Sequence, residues 1–164
     1  MSKMSNEIWS MFLTMCAGIV QNEHIRIAIL SLVVAQVLKI FFYYLRCRKF
    51  SFRVLIQPSG MPSSHTSMVT ALTASIGFSD GWVSNTFAIA LIFSVIVMYD
   101  AAGVRRAAGR QARVLNILME DLFTKKRINE LRLKELLGHT PLEVFFGVLL
   151  GIILAFAYHF SFGV

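Results

Sequence analysis

Two histidines in this sequence stand where an imidazole could work on a phosphoryl group. His65 closes the stretch Gln57-Pro58-Ser59-Gly60-Met61-Pro62-Ser63-Ser64-His65, a polar, turn-rich island leading into the apolar segment that begins at Thr66. Pro58, Gly60 and Pro62 break any helix there, and the hydroxyls of Ser63 and Ser64 can cap the next one, so His65 is expected in a first helical turn. The N–H groups and positive dipole end of a helix start favour an oxyanion, and an imidazole placed there can give it a proton. His139 stands four residues before Glu143 at the start of the last apolar segment. On a helix, that spacing puts both on one face, where the carboxylate accepts from one imidazole N–H and leaves the other ring nitrogen as a nucleophile. Taken singly, each motif equally describes a capped helix start between membrane segments.

The elements that must position these residues are apolar helices. The chain has 164 residues, enough for one domain over 1–164, and 56% of them are hydrophobic. With a mean hydropathy of +0.65, and with the apolar residues in long blocks, it reads as an integral membrane protein. The expected fold is all-α: a membrane helical bundle with about five apolar segments, at 8–20, 25–45, 66–78, 85–99 and 142–160, plus amphipathic interfacial helices within 101–137. The segment 8–20 is short for a span and is expected as a re-entrant hairpin or a short tilted helix. It lacks the flanks of a signal peptide and reads as part of the mature fold. The small and polar residues of 66–78 suit a helix that faces protein rather than lipid, and Gly147 and Gly151 form a G-x-x-x-G pattern for close packing. Cys16 and Cys47 show no metal or disulfide spacing.

Charge sets the expected orientation. Of the 16 Lys and Arg residues, four lie in 46–57 and nine in 101–141, which makes 13 on one side of the membrane. The positive-inside rule places that side in the cytoplasm. Three polar clusters then converge at one interface: the island, Asp100 with the arginines after it, and Gly138-His139.

These clusters carry a resemblance. Met61-Pro-Ser-Ser-His65, the run from Tyr99 through Asp100, Arg105 and Arg106 to Asn116, and Leu137-Gly-His-Thr-Pro-Leu-Glu-Val-Phe-Phe-Gly147 resemble the divergent branch of the phosphatidic acid phosphatase type 2 superfamily, which is distantly similar to vanadium-dependent haloperoxidases. The resemblance covers about residues 36–151 and implies a phosphatase that works through a phosphohistidine, with neither a metal nor another cofactor. It implies His139 as nucleophile, Glu143 as its carboxylate partner and His65 as the acid that protonates the leaving oxygen. Lys39, Ser63, Ser64, Arg105 and Arg106 would hold the phosphate, with Asp100 in support by orienting an arginine. The sequence departs from the superfamily pattern at Ser64, where a glycine is usual, at Glu143, where an aspartate is usual, and at Cys47, where a proline is usual. The superfamily's serine-arginine pair before the nucleophile has no clean counterpart, though Arg132 and Lys134 lie near its place.

A site at the interface selects a partner whose phosphate lies among headgroups and whose tail stays in lipid, such as a lipid phosphate monoester or a polyprenyl pyrophosphate, and not a nucleic acid. A rival reading is a non-catalytic membrane protein that holds anionic headgroups or a partner through its basic 101–141 face. A metal site from His65, Asp100, His139 and Glu143 has permitted ligand types but no recognised spacing, and the neighbouring cations oppose it.

Overall fold

The computed structural model describes residues 2–49, 60–123 and 138–162. They form six α-helices and, among the described residues, no strand: α1 (Ser2–Gln21), α2 (Glu23–Cys47), α3 (Ser64–Ser79), α4 (Asn85–Tyr99), α5 (Arg105–Phe123) and α6 (Pro141–Phe162), with a π-helical turn, Asp100–Val104, between α4 and α5. Local chemistry sets the ends. The Asn22 side chain accepts the Ile25 N–H at the start of α2, and Ser84 accepts the Phe87 N–H at the start of α4. Arg48, with φ of 52°, ends α2 in the left-handed region and returns its N–H to the Tyr44 carbonyl.

The short helix α3 is the centre of the molecule. Its 16 residues rise only about 24 Å, and ten of them are buried, most of them Ser, Thr, Ala or Gly. Around it stand α2, α4 and α6. The match of α3 with α6 is the most extensive and rests on bare backbone. A methyl group at Gly147 would lie 2.7 Å from the Ser63 carbonyl oxygen, and one at Gly151 would lie 2.6 Å from that of Ser67. Ala155, 1% exposed, continues the stripe. The G-x-x-x-G spacing therefore lets α6 lie directly on α3, parallel to it.

Helix α2 runs the other way. It presents Ile27, Ser31, Ala35 and Lys39 to the interior, one side chain per turn, with Ala28 beside the first. The Ser31 hydroxyl meets the Ser67 hydroxyl at 2.6 Å, and His24 Nδ1 meets the Ser75 hydroxyl at 2.6 Å. Helix α4 is antiparallel to α3 as well: the hydroxyls of Thr73 and Ser94 are 2.7 Å apart, and Ser94 donates to the Val69 carbonyl. Hydroxyls that would be unsatisfied in lipid thus find partners between helices.

Among the described residues, three helices are long and apolar enough to cross a membrane: α2, the rod from Asn85 to Met119, and α6. Their outer faces carry exposed Val33, Phe41, Ile89, Ile92, Ile153 and Phe156. The fold is an all-α integral membrane bundle in which lipid-facing helices enclose a polar-flecked central one.

The structure refines two expectations. The segment 8–20 lies within one continuous helix, α1, so it forms no hairpin; its side chains are largely exposed, and it joins α2 through Asn22, whose N–H donates to the Gly18 carbonyl. The helical path does not stop where α4 ends at Tyr99. With no proline after it, the chain absorbs extra backbone in the π turn and continues into α5. The amphipathic character expected of the segment is carried by α5, where Val114, Leu115 and Leu118 are exposed. The part of that expectation in 124–137, with Arg132 and Lys134, lies outside the described residues, as do Pro58, Ser59 and Arg53.

Candidate functional site

Four chain segments meet at one end of the bundle: the last third of α2, the entry to α3, the π turn, and the start of α6. The backbone ties them together. The Ser63 N–H donates to the Glu143 carbonyl at 3.0 Å, and the His139 N–H donates to the Ala101 carbonyl at 3.1 Å.

His139 is 2% exposed. Its Nδ1 lies 2.8 Å from Glu143 Oε2. An ionised carboxylate can only accept, so this contact puts the proton on Nδ1 and leaves Nε2 with its lone pair. Glu143 has a second duty. The same Oε2 accepts the Thr140 N–H at 3.2 Å, while the Thr140 hydroxyl accepts the Glu143 N–H at 3.3 Å. That reciprocal pair is a capping box, completed by Pro141 in the first helical position. The helix start that holds α6 in place therefore also fixes the histidine ahead of it.

The entry to α3 differs from the expected cap. Ser63 occupies the N-cap position with extended backbone, yet its hydroxyl makes no capping bond and instead accepts from Thr66 Oγ1 at 3.0 Å. The Ser63 side-chain oxygen therefore does not take the first-turn N–H groups, whose helix-start geometry suits an anion. Ser63 and Ser64 are both buried.

Lys39, 3% exposed, lies across Gly60. A Cβ on Gly60 would fall 2.5 Å from Lys39 Cε, and its φ of 126° suits glycine alone. The Lys39 ammonium is close enough to the Glu143 carboxylate for the two charges to interact. A lysine buried among membrane helices is costly unless its charge is used.

His65 takes a different place. It stands in the first turn of α3, as expected, but at about 100° per residue it projects roughly 150° away from the Thr66, Ser67 and Thr70 side that meets α6. It is exposed, whereas His139 is buried. Asp100, partly buried, opens the π turn beside Ala101. Arg105 and Arg106 begin α5 one turn later, and their side chains lie outside what is described. The structure therefore brings Lys39, Ser63, Ser64, His139 and Glu143 together, with His65 at an exposed edge. Among the described residues, no group of three His, Cys, Asp or Glu side chains could hold a metal.

Sequence reasoning assigned no role to Thr140 or the Ala101 carbonyl, and gave Gly60 only that of a helix breaker. The first had a legible signal, since Thr140-Pro-Leu-Glu143 is the capping-box pattern before an apolar run. The closeness of Gly60 to Lys39 had none.

Fold and site define an integral membrane helical protein with a histidine-carboxylate pair, a buried lysine and the start of α3 gathered at one end of the bundle. Comparison with known sequences agrees with the motifs: the profile of the Divergent PAP2 family matches residues 20–154, and the chain belongs to that family. It is also 43% identical over 135 residues to the uncharacterized membrane protein YuiD of Bacillus subtilis (strain 168), a match covering 76% of this chain and 85% of that protein. No solved structure matches.

Proposed function

We propose that this protein is a metal-independent phosphatase that acts at the membrane interface on a lipid phosphate monoester or a polyprenyl pyrophosphate, through a phosphohistidine. The observation that carries the reading is His139, buried, its Nδ1 proton held by Glu143 at 2.8 Å. In the first step Nε2 attacks phosphorus in line and the bond from phosphorus to the leaving oxygen breaks. That oxygen takes the electron pair and a proton from His65, and Glu143 stabilises the imidazolium left on His139. In the second step His65 removes a proton from water, the water oxygen bonds to phosphorus, and the phosphorus–Nε2 bond breaks to free phosphate. Lys39, Arg105 or Arg106, and the N–H groups at the entry to α3 hold the equatorial oxygens, where charge gathers in the transition state. Asp100 orients an arginine. The basic loops, and the site with them, face the cytoplasm by the positive-inside rule.

The test is purified protein assayed on lipid phosphates without added metal, beside His139→Ala and His65→Ala. Phosphate release that is lost in both variants, with acid-labile phosphate trapped on His139, supports the reading; equal rates in wild type and His139→Ala end it.

A second reading, a non-catalytic protein that holds anionic headgroups or a partner through its basic 101–141 face, draws on one observation. The His139–Glu143 pair also serves as a helix start, and His65 projects from the other side of α3. On this reading the basic face binds anionic vesicles with strong salt dependence, and no phosphate is released.

A further inference from the structure

A buried amide on α2 makes no hydrogen bond. Gln36 stands one turn before Lys39, half-buried, and its Oε1 is buried with no hydrogen-bond partner among the described residues. Buried polar atoms nearly always find a partner, and lipid offers none. The direction of this side chain follows from its neighbours. Ile27 packs in one cluster with Ala155 of α6, and Ser31 meets Ser67 of α3 at 2.6 Å. At about 100° per residue, Ser31 is about 40° on from Ile27, and Gln36 is about 180° on from it in the same rotation. That rotation passes from α6, across α3, to the side of α3 that α6 leaves free. His65, exposed, projects from that side. The buried Oε1 shows that the Gln36 amide folds back on the bundle rather than out into lipid.

The heights agree as well. From the Ser31–Ser67 contact, which sets the register of these antiparallel helices, Gln36 lies about 7.5 Å toward the polar end and His65 about 3 Å. Helical side chains lean toward the N-terminus of their own helix, so Gln36 leans back from that end while His65 leans toward it, and the gap closes. An acceptor there has a use. In the second step of the proposed reaction, in-line displacement requires water to enter on the side of phosphorus away from His139 Nε2. One of its protons goes to His65, and the other needs an acceptor that leaves the oxygen lone pair facing phosphorus. A carboxylate would repel the phosphoryl oxygens; a neutral amide carbonyl does not.

We infer that Gln36 positions the attacking water of that step. Its Oε1 accepts a hydrogen bond from one O–H of the water while His65 removes the proton of the other. The water oxygen then bonds to phosphorus, the phosphorus–Nε2 bond breaks, and Nε2 keeps the electron pair. The inference adds a residue to the phosphohistidine reading and rests on it, and the experiment below tells failure of the one from failure of the other.

The test uses the full-length protein in detergent with radiolabelled p-nitrophenyl phosphate and an alkaline quench, which preserves phosphohistidine. Nitrophenolate leaves without needing a proton, so its release in the first turnover reads the first step. Label held on His139 and then lost as phosphate reads the second. In the near-isosteric Gln36→Met, the first turnover keeps its wild-type rate, label accumulates on His139, and its loss slows about 10–100-fold, the scale of a misplaced reacting group. The variant melts no earlier than wild type, since an unpaired buried oxygen has been removed. Loss of label at the wild-type rate in Gln36→Met overturns the inference and leaves the phosphohistidine reading standing. Both steps slowed alike, or early melting with the balance of the two steps unchanged, makes Gln36 a structural residue and also overturns it. Label on His139 in neither protein ends the phosphohistidine reading and this inference with it.

Discussion

Glu143 holds two donors with one oxygen, and two substitutions separate its duties. The carboxylate caps α6 through the Thr140 N–H at 3.2 Å and orients His139 through Nδ1 at 2.8 Å. Glutamine is accepted at this position of a capping box, since its carbonyl oxygen can take the same N–H. Glu143→Gln therefore keeps the cap, and any stability it loses comes from withdrawing the charge that faces buried Lys39. What it removes is the negative charge facing the imidazole. A hydrogen bond to a charged group contributes about 1.5–3 kcal/mol and a neutral one about 0.5–1.5, and the difference, at about 1.4 kcal/mol per factor of ten, is a loss of roughly tenfold in phosphate release. Thr140→Ala acts in reverse. It deletes the hydroxyl that accepts the Glu143 N–H at 3.3 Å, costs about 1 kcal/mol as an N-cap loss, lowers the melting temperature by about 2–4 °C, and spares the rate. Melting in detergent and release of inorganic phosphate from a lipid phosphate read the two effects. If both variants melt early and neither slows the reaction, the pair is a helix cap and nothing more.

Three further perturbations probe what places the site. Gly147→Ala puts a methyl group 2.7 Å from the Ser63 carbonyl and 2.9 Å from Thr66 Cβ, so α6 must move off α3 at about 1–3 kcal/mol; Gly18→Ala in α1, with nothing within 4 Å, is the control, and equal melting of the two refutes direct backbone contact. Gly60→Ala meets Lys39 Cε at 2.5 Å at a φ of 126°, and is expected to weaken phosphate or vanadate binding by displacing the ammonium; unchanged inhibition by vanadate contradicts this. Lys39→Met swaps a buried charge for an apolar chain of similar length, so the bundle melts no earlier than wild type while phosphate release is lost; early melting with intact turnover would mark Lys39 as a structural residue.

Much of the architecture was legible because lipid leaves the chain few options. Long apolar blocks between basic loops gave α2, α4 and α6, and the Ser, Thr, Ala and Gly content of α3 marked it as the helix that faces its neighbours. The convergence of the chemistry-bearing segments followed from counting charges, and the contacts from Ser63 to Glu143 and from His139 to Ala101 bring those segments together. Three features were hidden for separate reasons. The run from α4 into α5 depends on a π turn, which has no local sequence signature. The Gly60–Lys39 contact joins residues from two elements, so neither neighbourhood records it. The apolar groove between α4 and α6, lined by Phe87, Leu91, Met98 and Ile152, is a gap left where two helices share a third, and no single helix encodes it.

The position of His65 follows from the same packing. Helix α3 must turn its smallest residues, with Ser63, Thr66, Ser67 and Thr70, toward the bare backbone of α6, and a histidine between Ser64 and Thr66 is then carried to the other side. The buried His139 thus meets one edge of the entry to α3, and the exposed His65 occupies another. On the proposed mechanism, a phosphoryl group that reaches both sits over the end of α3, by its first-turn N–H groups, and not beside the helix. With the phosphate placed there, a Ser63 side-chain oxygen on the same donors would compete with the anion, and Ser63 instead accepts from Thr66. Ser63→Asp tests it directly, since a carboxylate at the N-cap takes up those N–H groups and repels the substrate while stabilising the helix. Slower phosphate release with an unchanged or raised melting temperature is the expected result; a variant that turns over at the wild-type rate places the phosphate elsewhere.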